Sequence, residues 1–404
     1  MTGKLRIVFV DDEPHVLHGL RRSMGEMEDL WDMRYCHSAA EALALLEEQP
    51  ADVVVSDMRM PQMDGAQFLE EVRHRYPQAI RVILSGYAET RSVLKTVEPT
   101  HIYLAKPCDP ELLQTVIARP LALRRFMTGP ALLAAVGGLS NLPSLPSVYH
   151  NLVAELARAD SSAASVAKIL SQDIAMTAEI LKLTNSSFFA VGAQVTSALQ
   201  AVKTLGLDTI QTLVLHVGIF RQLDGSPMPA GMLADLTRYS LETAALAEAI
   251  IRDEGGECAA TAKAAYCAGL LSSIGALVFL DQDAERYGRC LAAVGPGMSQ
   301  DVAETAEFGA SHGHVGAYLL GLWGFADAIV EAVAFSASPS LAPCPDNPVL
   351  LATHAACALG PRFPLLPPDG GEAERLDMAY LIGIRRDGRV RHWRELAGAR
   401  PDPA

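Results

Sequence analysis

Between residues 5 and 106 the chain alternates short apolar runs with amphipathic stretches. The runs "RIVFV", "DVVVS", "RVILS" and "HIYLA" are rich in β-branched residues and too short for helices. Near-continuous apolar segments of this length read as strands buried on both faces of a parallel sheet. The helical patterns between them supply the covering layers, so an α/β doubly wound unit is predicted. Leu112, Leu113, Val116 and Ile117 place one apolar stripe on its last helix, which Pro120 is expected to interrupt. "LALRRFMTGP" then reads as a helical connector. A Pro/Gly/Ser-rich joint near residues 137–147 marks the domain boundary.

The pattern changes beyond that joint. From Ser147 to about Ala337 apolar residues recur at three- and four-residue intervals, as in "VYHNLVAELA", "SVAKILSQD" and "DTIQTLVLHVGIF". This predicts an all-helical region without strand-like alternation. Small residues such as Ala244, Ala245 and Ala247 suggest close helix packing. Residues 347–404 add a helical stretch, a Pro/Gly loop at 361–371 and a last helical patch around Trp393. The expected organisation is a first domain over 1–120, a connector over 121–138, a helical domain over 139–338 and a helical extension over 339–404.

The chemistry sits where the apolar runs end. Asp11 and Asp12 close the first run, Asp57 the second, Ser85 the third and Lys106 the fourth. In an open parallel sheet, ligands bind outside the carboxyl ends of the strands. If the runs are neighbours, three acids, a hydroxyl and an amine meet on one rim, which suits magnesium-assisted phosphoryl acceptance. Magnesium takes a few carboxylates and keeps its waters. Asp12 and Asp57 are the expected direct ligands, with Asp11 acting through water and the Arg59 carbonyl adding an oxygen. Asp57 is the candidate nucleophile, since carboxylates form aspartyl-phosphates. Lys106 offers positive charge to phosphoryl oxygens, and Ser85 a hydroxyl donor.

Residues 5–118 resemble the receiver domain of two-component response regulators, through "VDDEP", "SDMRMPQMDG", "LSGYAE" and "AKP". The resemblance implies a five-stranded, flavodoxin-like parallel sheet. It also implies phosphotransfer from a sensor histidine kinase to Asp57, switching through Ser85 and Tyr103, and a homodimer through the switching face. Residues 139–338 resemble an HDOD domain, a helical relative of the HD metal-dependent phosphohydrolases. "LSNLPSLPSVYHNL", "AKILSQDIAMTAEILKLTNSSFF", "AGLLSSIGALVFL" and "FGASHGHVGAYLLGLWGFADAIVEAV" carry it. That family implies a bundle of five to seven helices used mainly in signalling.

The second resemblance breaks at the metal ligands. The His-Asp pair of the catalytic enzymes falls at Ser272 and Ser273, an expected ligand histidine near Tyr239, and a later histidine pair at Phe335 and Ser336. Hydroxyls and an aromatic ring are poor substitutes for imidazole and carboxylate around a divalent metal. His312 and His314 lie two apart, about 200° around a helix, so they cannot share a face. They, with His216 and His354, read as packing residues. No cofactor is therefore expected in the helical domain. A phosphorylation-controlled adaptor is the leading expectation, its output being protein or nucleotide binding. The rival is a cyclic-dinucleotide phosphodiesterase with an atypical metal site.

Composition narrows the remaining classes. The formal charge of −14 over 404 residues opposes broad nucleic-acid binding. No helix-turn-helix with a basic face is evident, which disfavours a transcription regulator. The seven arginines from Arg375 to Arg400 read as a solvated helix face. Seven cysteines without a C-x-x-C pair suit a reducing cytoplasm. The longest apolar stretch, Ala264 to Leu280, is broken by Ser272, Ser273 and glycines, so no membrane span is expected.

Overall fold

A computed structural model describes residues 4–86, 100–139, 142–158, 160–185, 194–214, 221–222, 230–255, 258–295, 297–366 and 376–398. The strands are β1 (Leu5–Val10), β2 (Trp31–Cys36), β3 (Val53–Asp57), β4 (Ile80–Gly86) and β5 (Ile102–Lys106), all parallel in the order β2-β1-β3-β4-β5. Helices α1 (Pro14–Ser23), α2 (Ala39–Glu48), α3 (Gly65–Arg75) and α4 (Pro110–Arg124) cover the sheet. Ile7, Phe9, Val53, Val55, Val82 and Leu104 pack toward α1 and α4, while Val8, Val54 and Ile83 pack toward α2 and α3. This two-sided burial explains why the strands read as unbroken apolar runs.

Pro120 does not end the helix as expected. α4 continues through it to Arg124, with Pro120 itself buried. Leu113 and Ile117 hold the helix against the sheet, and its other flank is gripped by the second domain, so packing overrides the lost hydrogen bond. Helix α5 (Pro130–Gly138) then turns back beneath the sheet. A Cβ on Gly137 would lie 2.0 Å from the Pro77 carbonyl oxygen, so only glycine permits this approach.

The helical region runs through α6 (Pro146–Leu156), α7 (Ala163–Leu170), α8 (Ile174–Asn185), α9 (Ala198–Leu205), α10 (Leu207–Thr212) and α11 (Ala230–Asp253). It continues through α12 (Ala259–Leu271), α13 (Ile274–Ala292), α14 (Gln300–Phe308), α15 (His312–Leu322) and α16 (Asp327–Ala334). These are shorter and more numerous than five to seven helices, because serine caps at Ser162, Ser197, Ser299 and Ser311 restart the chain repeatedly. A two-residue parallel ladder, β6 (Pro143–Ser144) with β7 (Arg221–Gln222), adds the strand pairing that no alternation announced. The stretch Ala259–Ala292 is long and apolar enough to cross a membrane, yet 83% of its apolar window is buried within the protein. Small residues do bring helices together: a Cβ on Gly269 of α12 would sit 2.8 Å from the Cα of Ala244 in α11.

The C-terminal stretch is part of this bundle rather than an appendage. Helix α17 (Pro348–Leu359) is almost wholly buried on its first eight positions, and α18 (Met378–Gly383) and α19 (Val390–Gly398) close over it. Trp393 is fully buried, and its Nε1 donates to Glu254 at 3.1 Å. The basic tail is not simply solvated. Arg389 binds Glu254 and Asp253, Arg386 lies 3.2 Å from Glu254, and His392 lies 2.9 Å from Asp253. Those two acids sit at the C-terminal end of α11, where arginines offset the helix's own negative end.

The two domains share one continuous apolar core along α4. Arg119 donates to the Phe325 carbonyl at 2.7 Å and pairs with Asp327 at the start of α16. Leu123 packs against Gly321, where a Cβ would come within 3.0 Å of it. Below them, Phe126 stacks on His314 at 4.6 Å and meets Phe335 edge-on at 5.8 Å. This flank of α4 is thus covered by α15 and the start of α16.

Candidate phosphoacceptor site and the helical cleft

Each rim residue is placed by the strand that precedes it. Asp11 follows β1 and is 1% exposed, its Oδ1 accepting from the Glu13 amide at 2.9 Å. Asp12 beside it is half-buried. Asp57 is the last residue of β3 and is 8% exposed, with Oδ2 accepting from the Arg59 amide at 2.6 Å. This small loop turns the Arg59 segment back over the carboxylate. Gly65 then allows α3 to begin directly behind it, since a Cβ there would lie 2.1 Å from the Asp57 carbonyl oxygen.

From the other side come β4 and β5. Ser85 is buried near the end of β4 and pairs with Ala105, which sets Lys106 beside Gly86 at the same rim. Lys106 Nζ reaches Asp11 Oδ2 at 2.7 Å and also forms an ion pair with Asp57. Tyr103 is buried one turn of the pleat lower, among Val54, Met58, Phe68 and Ile83 on the α3 face. The geometry therefore brings Asp11, Asp57 and Lys106 into direct contact, with Ser85 and Asp12 on the same edge.

Burial drives the electrostatics here. It raises the Asp57 carboxyl above the usual aspartate range, and the Asp11 charge adds to this, against the opposing pull of Lys106 and the Arg59 amide. Burial works against the Lys106 charge, yet its hydrogen bonds to Asp11 and Asp57 hold it above the usual lysine range. Among the described residues, the Lys106 ammonium thus faces two buried carboxylates. Asp11, Asp12 and Asp57 do not gather their oxygens within 4.8 Å of one another, as one tight triad elsewhere among the described residues does. Hard carboxylate oxygens, two of them buried beside a half-buried third acid, fit magnesium, which takes one or two carboxylates and retains water.

That tight triad is Asp301, Glu304 and His312, in the helical domain. Glu304 is fully buried, and its Oε2 accepts from both the backbone N and the Nδ1 of His312, each at 2.7 Å. Its Oε1 accepts from Tyr287 at 2.7 Å and Gln300 at 2.8 Å. Burial pulls the His312 imidazole down, but the Glu304 carboxylate outweighs it and lifts the pKa to about 9. The pair links α14 to α15 as a buried, charged staple.

The positions where HD enzymes keep ligands are engaged in packing. Tyr239 meets Phe363 edge-on at 5.2 Å. Ser272 donates to the Gly269 carbonyl at 2.8 Å, and Ser273 hydrogen-bonds Ser240. Ser336 donates to Val333 at 3.2 Å, and Phe335 faces the connector ring of Phe126. His354 is buried between the Ser336 carbonyl at 2.7 Å and the Asp377 amide at 3.0 Å, in keeping with a packing role. His216 lies outside the described residues. The Glu304–His312 staple escaped the sequence, where only the eight-residue spacing on two capped helices hinted at it. So did Arg81 and His101, a cation and an imidazole set at the bases of two apolar strands.

Comparison with known proteins agrees with this division. The response regulator receiver domain family matches residues 7–118, and the HDOD domain family residues 142–339. The hydrogenase transcriptional regulatory protein HoxA of Cupriavidus necator is 38% identical over 113 residues, 27% of this chain and 23% of that protein. The receiver domain of an HD domain-containing protein from Pseudomonas fluorescens is 28% identical, covering 30% of this chain and 94% of that one, with a TM-score of 0.27. The MmoQ response regulator of Methylococcus capsulatus covers 63% of this chain and 98% of its own at 21% identity, with a TM-score of 0.44. The chain spans about a quarter of the length of the first curated relatives it matches, 23% and 24%. With a receiver domain over its sheet and an HDOD domain over its bundle, the chain has the architecture of a response regulator.

Proposed function

We propose that Asp57 accepts a phosphoryl group from a sensor histidine kinase and that the HDOD bundle delivers the signal by binding a partner protein in the cytoplasm. The observation that supports this best is the Lys106 ammonium lying between the carboxylates of Asp11 and Asp57. In the transfer, an Asp57 carboxylate oxygen bonds to phosphorus as the donor's P–N bond breaks, and the electron pair leaves on the imidazole nitrogen. Asp11, Asp12, Asp57 and the Arg59 carbonyl would hold magnesium, whose charge offsets repulsion between phosphoryl and carboxylate oxygens. Lys106 binds the arriving phosphoryl oxygens, and Ser85 donates its hydroxyl to one of them. Tyr103, buried below, repacks as Ser85 moves. A modest energy gap between the two arrangements lets this act as a switch.

Incubating the chain with acetyl phosphate and magnesium is expected to give one base-labile acyl phosphate. An Asp57→Asn protein labelled at the same rate would refute the assignment. Among the described residues, the phosphodiesterase alternative draws on the Asp301–Glu304–His312 triad. Stoichiometric iron or manganese in the purified chain, with turnover of a cyclic dinucleotide, would establish it instead.

A further inference from the structure

The base of the sheet, opposite the phosphoacceptor rim, holds a second polar assembly. Arg81, the second residue of β4, is fully buried. Its guanidinium donates to the carbonyls of Ala79 at 3.1 Å and Gly137 at 2.7 Å. His101, directly before β5, is 7% exposed; its Nδ1 accepts from the Arg81 amide at 3.1 Å. The imidazole Nε2 lies 3.0 Å from the same Gly137 carbonyl oxygen and 2.8 Å from the Arg81 guanidinium, so the three groups form one buried cluster. Burial holds His101 well below its ordinary pKa, so it stays neutral, while Arg81, lowered to about 9, stays charged. Gly137 sits at the C-terminal end of α5, where the helix presents partial negative charge to the buried cation.

The two strands that carry this assembly also end at the phosphoacceptor rim. Ser85 lies four residues along β4 from Arg81, roughly 13 Å in an extended strand. Lys106 lies five residues along β5 from His101. The strands are neighbours in register, Val82 beside Ile102 and Ser85 beside Ala105. Both strands thus run unbroken from the phosphoacceptor rim to the residues that hold α5. We propose that Arg81 and His101, converging on the Gly137 carbonyl, are the joint through which the phosphorylation state of the receiver sets how firmly the connector and helical bundle are held.

This rests on the phosphoacceptor reading above, and one experiment separates the two. Hydrogen exchange of the α5 amides is followed in the full chain, with and without acetyl phosphate and magnesium, while acyl phosphate is quantified in parallel. In the native protein, phosphorylation should speed α5 exchange by about tenfold, the factor that about 1.4 kcal/mol of lost hydrogen bonding represents. Gly137→Ala, which drives a methyl into the Pro77 carbonyl, should exchange fast already and lose the response, yet still form acyl phosphate. Arg81→Met, which keeps the buried stem, should do the same. Acyl phosphate forming without any change in α5 would overturn the joint and spare the phosphoacceptor. A response as large in both variants as in the native chain would overturn it too, leaving Arg81 and His101 a purely structural role. No acyl phosphate at all would remove both proposals.

Discussion

Raising the pH should loosen the helical domain through a single imidazole. His312 has a folded pKa of about 9 against an ordinary value of 6.5, because the Glu304 carboxylate outweighs the cost of burying its charge. A raised folded pKa means that the native state holds the proton more tightly than the unfolded chain. The stabilisation is then complete below about pH 6.5 and disappears as pH climbs through about 9. Two and a half pKa units convert to roughly 3 kcal/mol as an upper bound. Little discount for solvent applies, since the side chains of His312 and Glu304 are 14% and 0% exposed. The charged neighbours are Glu304 and Asp301 on α14, with His314 on the same helix as His312. The assay is urea unfolding of the native chain and His312→Asn at pH 6, 8 and 10. A chain with more than one domain need not unfold in one step, so Trp323 and Trp393, both in the bundle, are the probes to follow. The variant's deficit should be largest at pH 6 and nearly gone at pH 10. A deficit that stays flat, or an imidazole resonance titrating near 6.5, would refute the charged staple. Tight divalent-metal binding at neutral pH would also refute it.

Lys106→Met removes the ammonium paired with two buried acids, so it should cost about 3–5 kcal/mol at neutral pH. That deficit should shrink on acidification, because protonating Asp57 relieves the repulsion; unfolding midpoints of Lys106→Met and native protein across pH 4–8 test this. Trp393→Ala should destabilise the bundle by about 3–5 kcal/mol, as emptying a fully buried indole site does. A melting temperature unchanged by that substitution would show that the last helices do not belong to the core.

Much of this was legible in the chain because one physical rule generated it. Strands buried on both faces must be apolar throughout, and the residues that end them fall on a common rim. The placement of Asp11, Asp57, Ser85 and Lys106 on one rim therefore follows from the apolar pattern alone. Pro120 was misread because local propensity says nothing of the two surfaces that clamp α4. The arginines around Arg389 were misread for a related reason: their partners, Asp253 and Glu254, lie more than a hundred residues away. His312 was visible as a residue, but its charge state depends on Glu304 meeting it across two helices. Long-range pairings of polar groups leave no periodic trace in a sequence, whereas apolar faces do.

Helix α4 belongs to two cores at once, and this constrains how the protein can diverge. A substitution at Leu123 is felt at Gly321, one at Arg119 at Asp327, and one at Phe126 at both His314 and Phe335. Receivers transplanted from other regulators would meet the wrong landscape on this bundle unless those positions travelled with them. The two halves must inherit change together, however separately their chemistry is described.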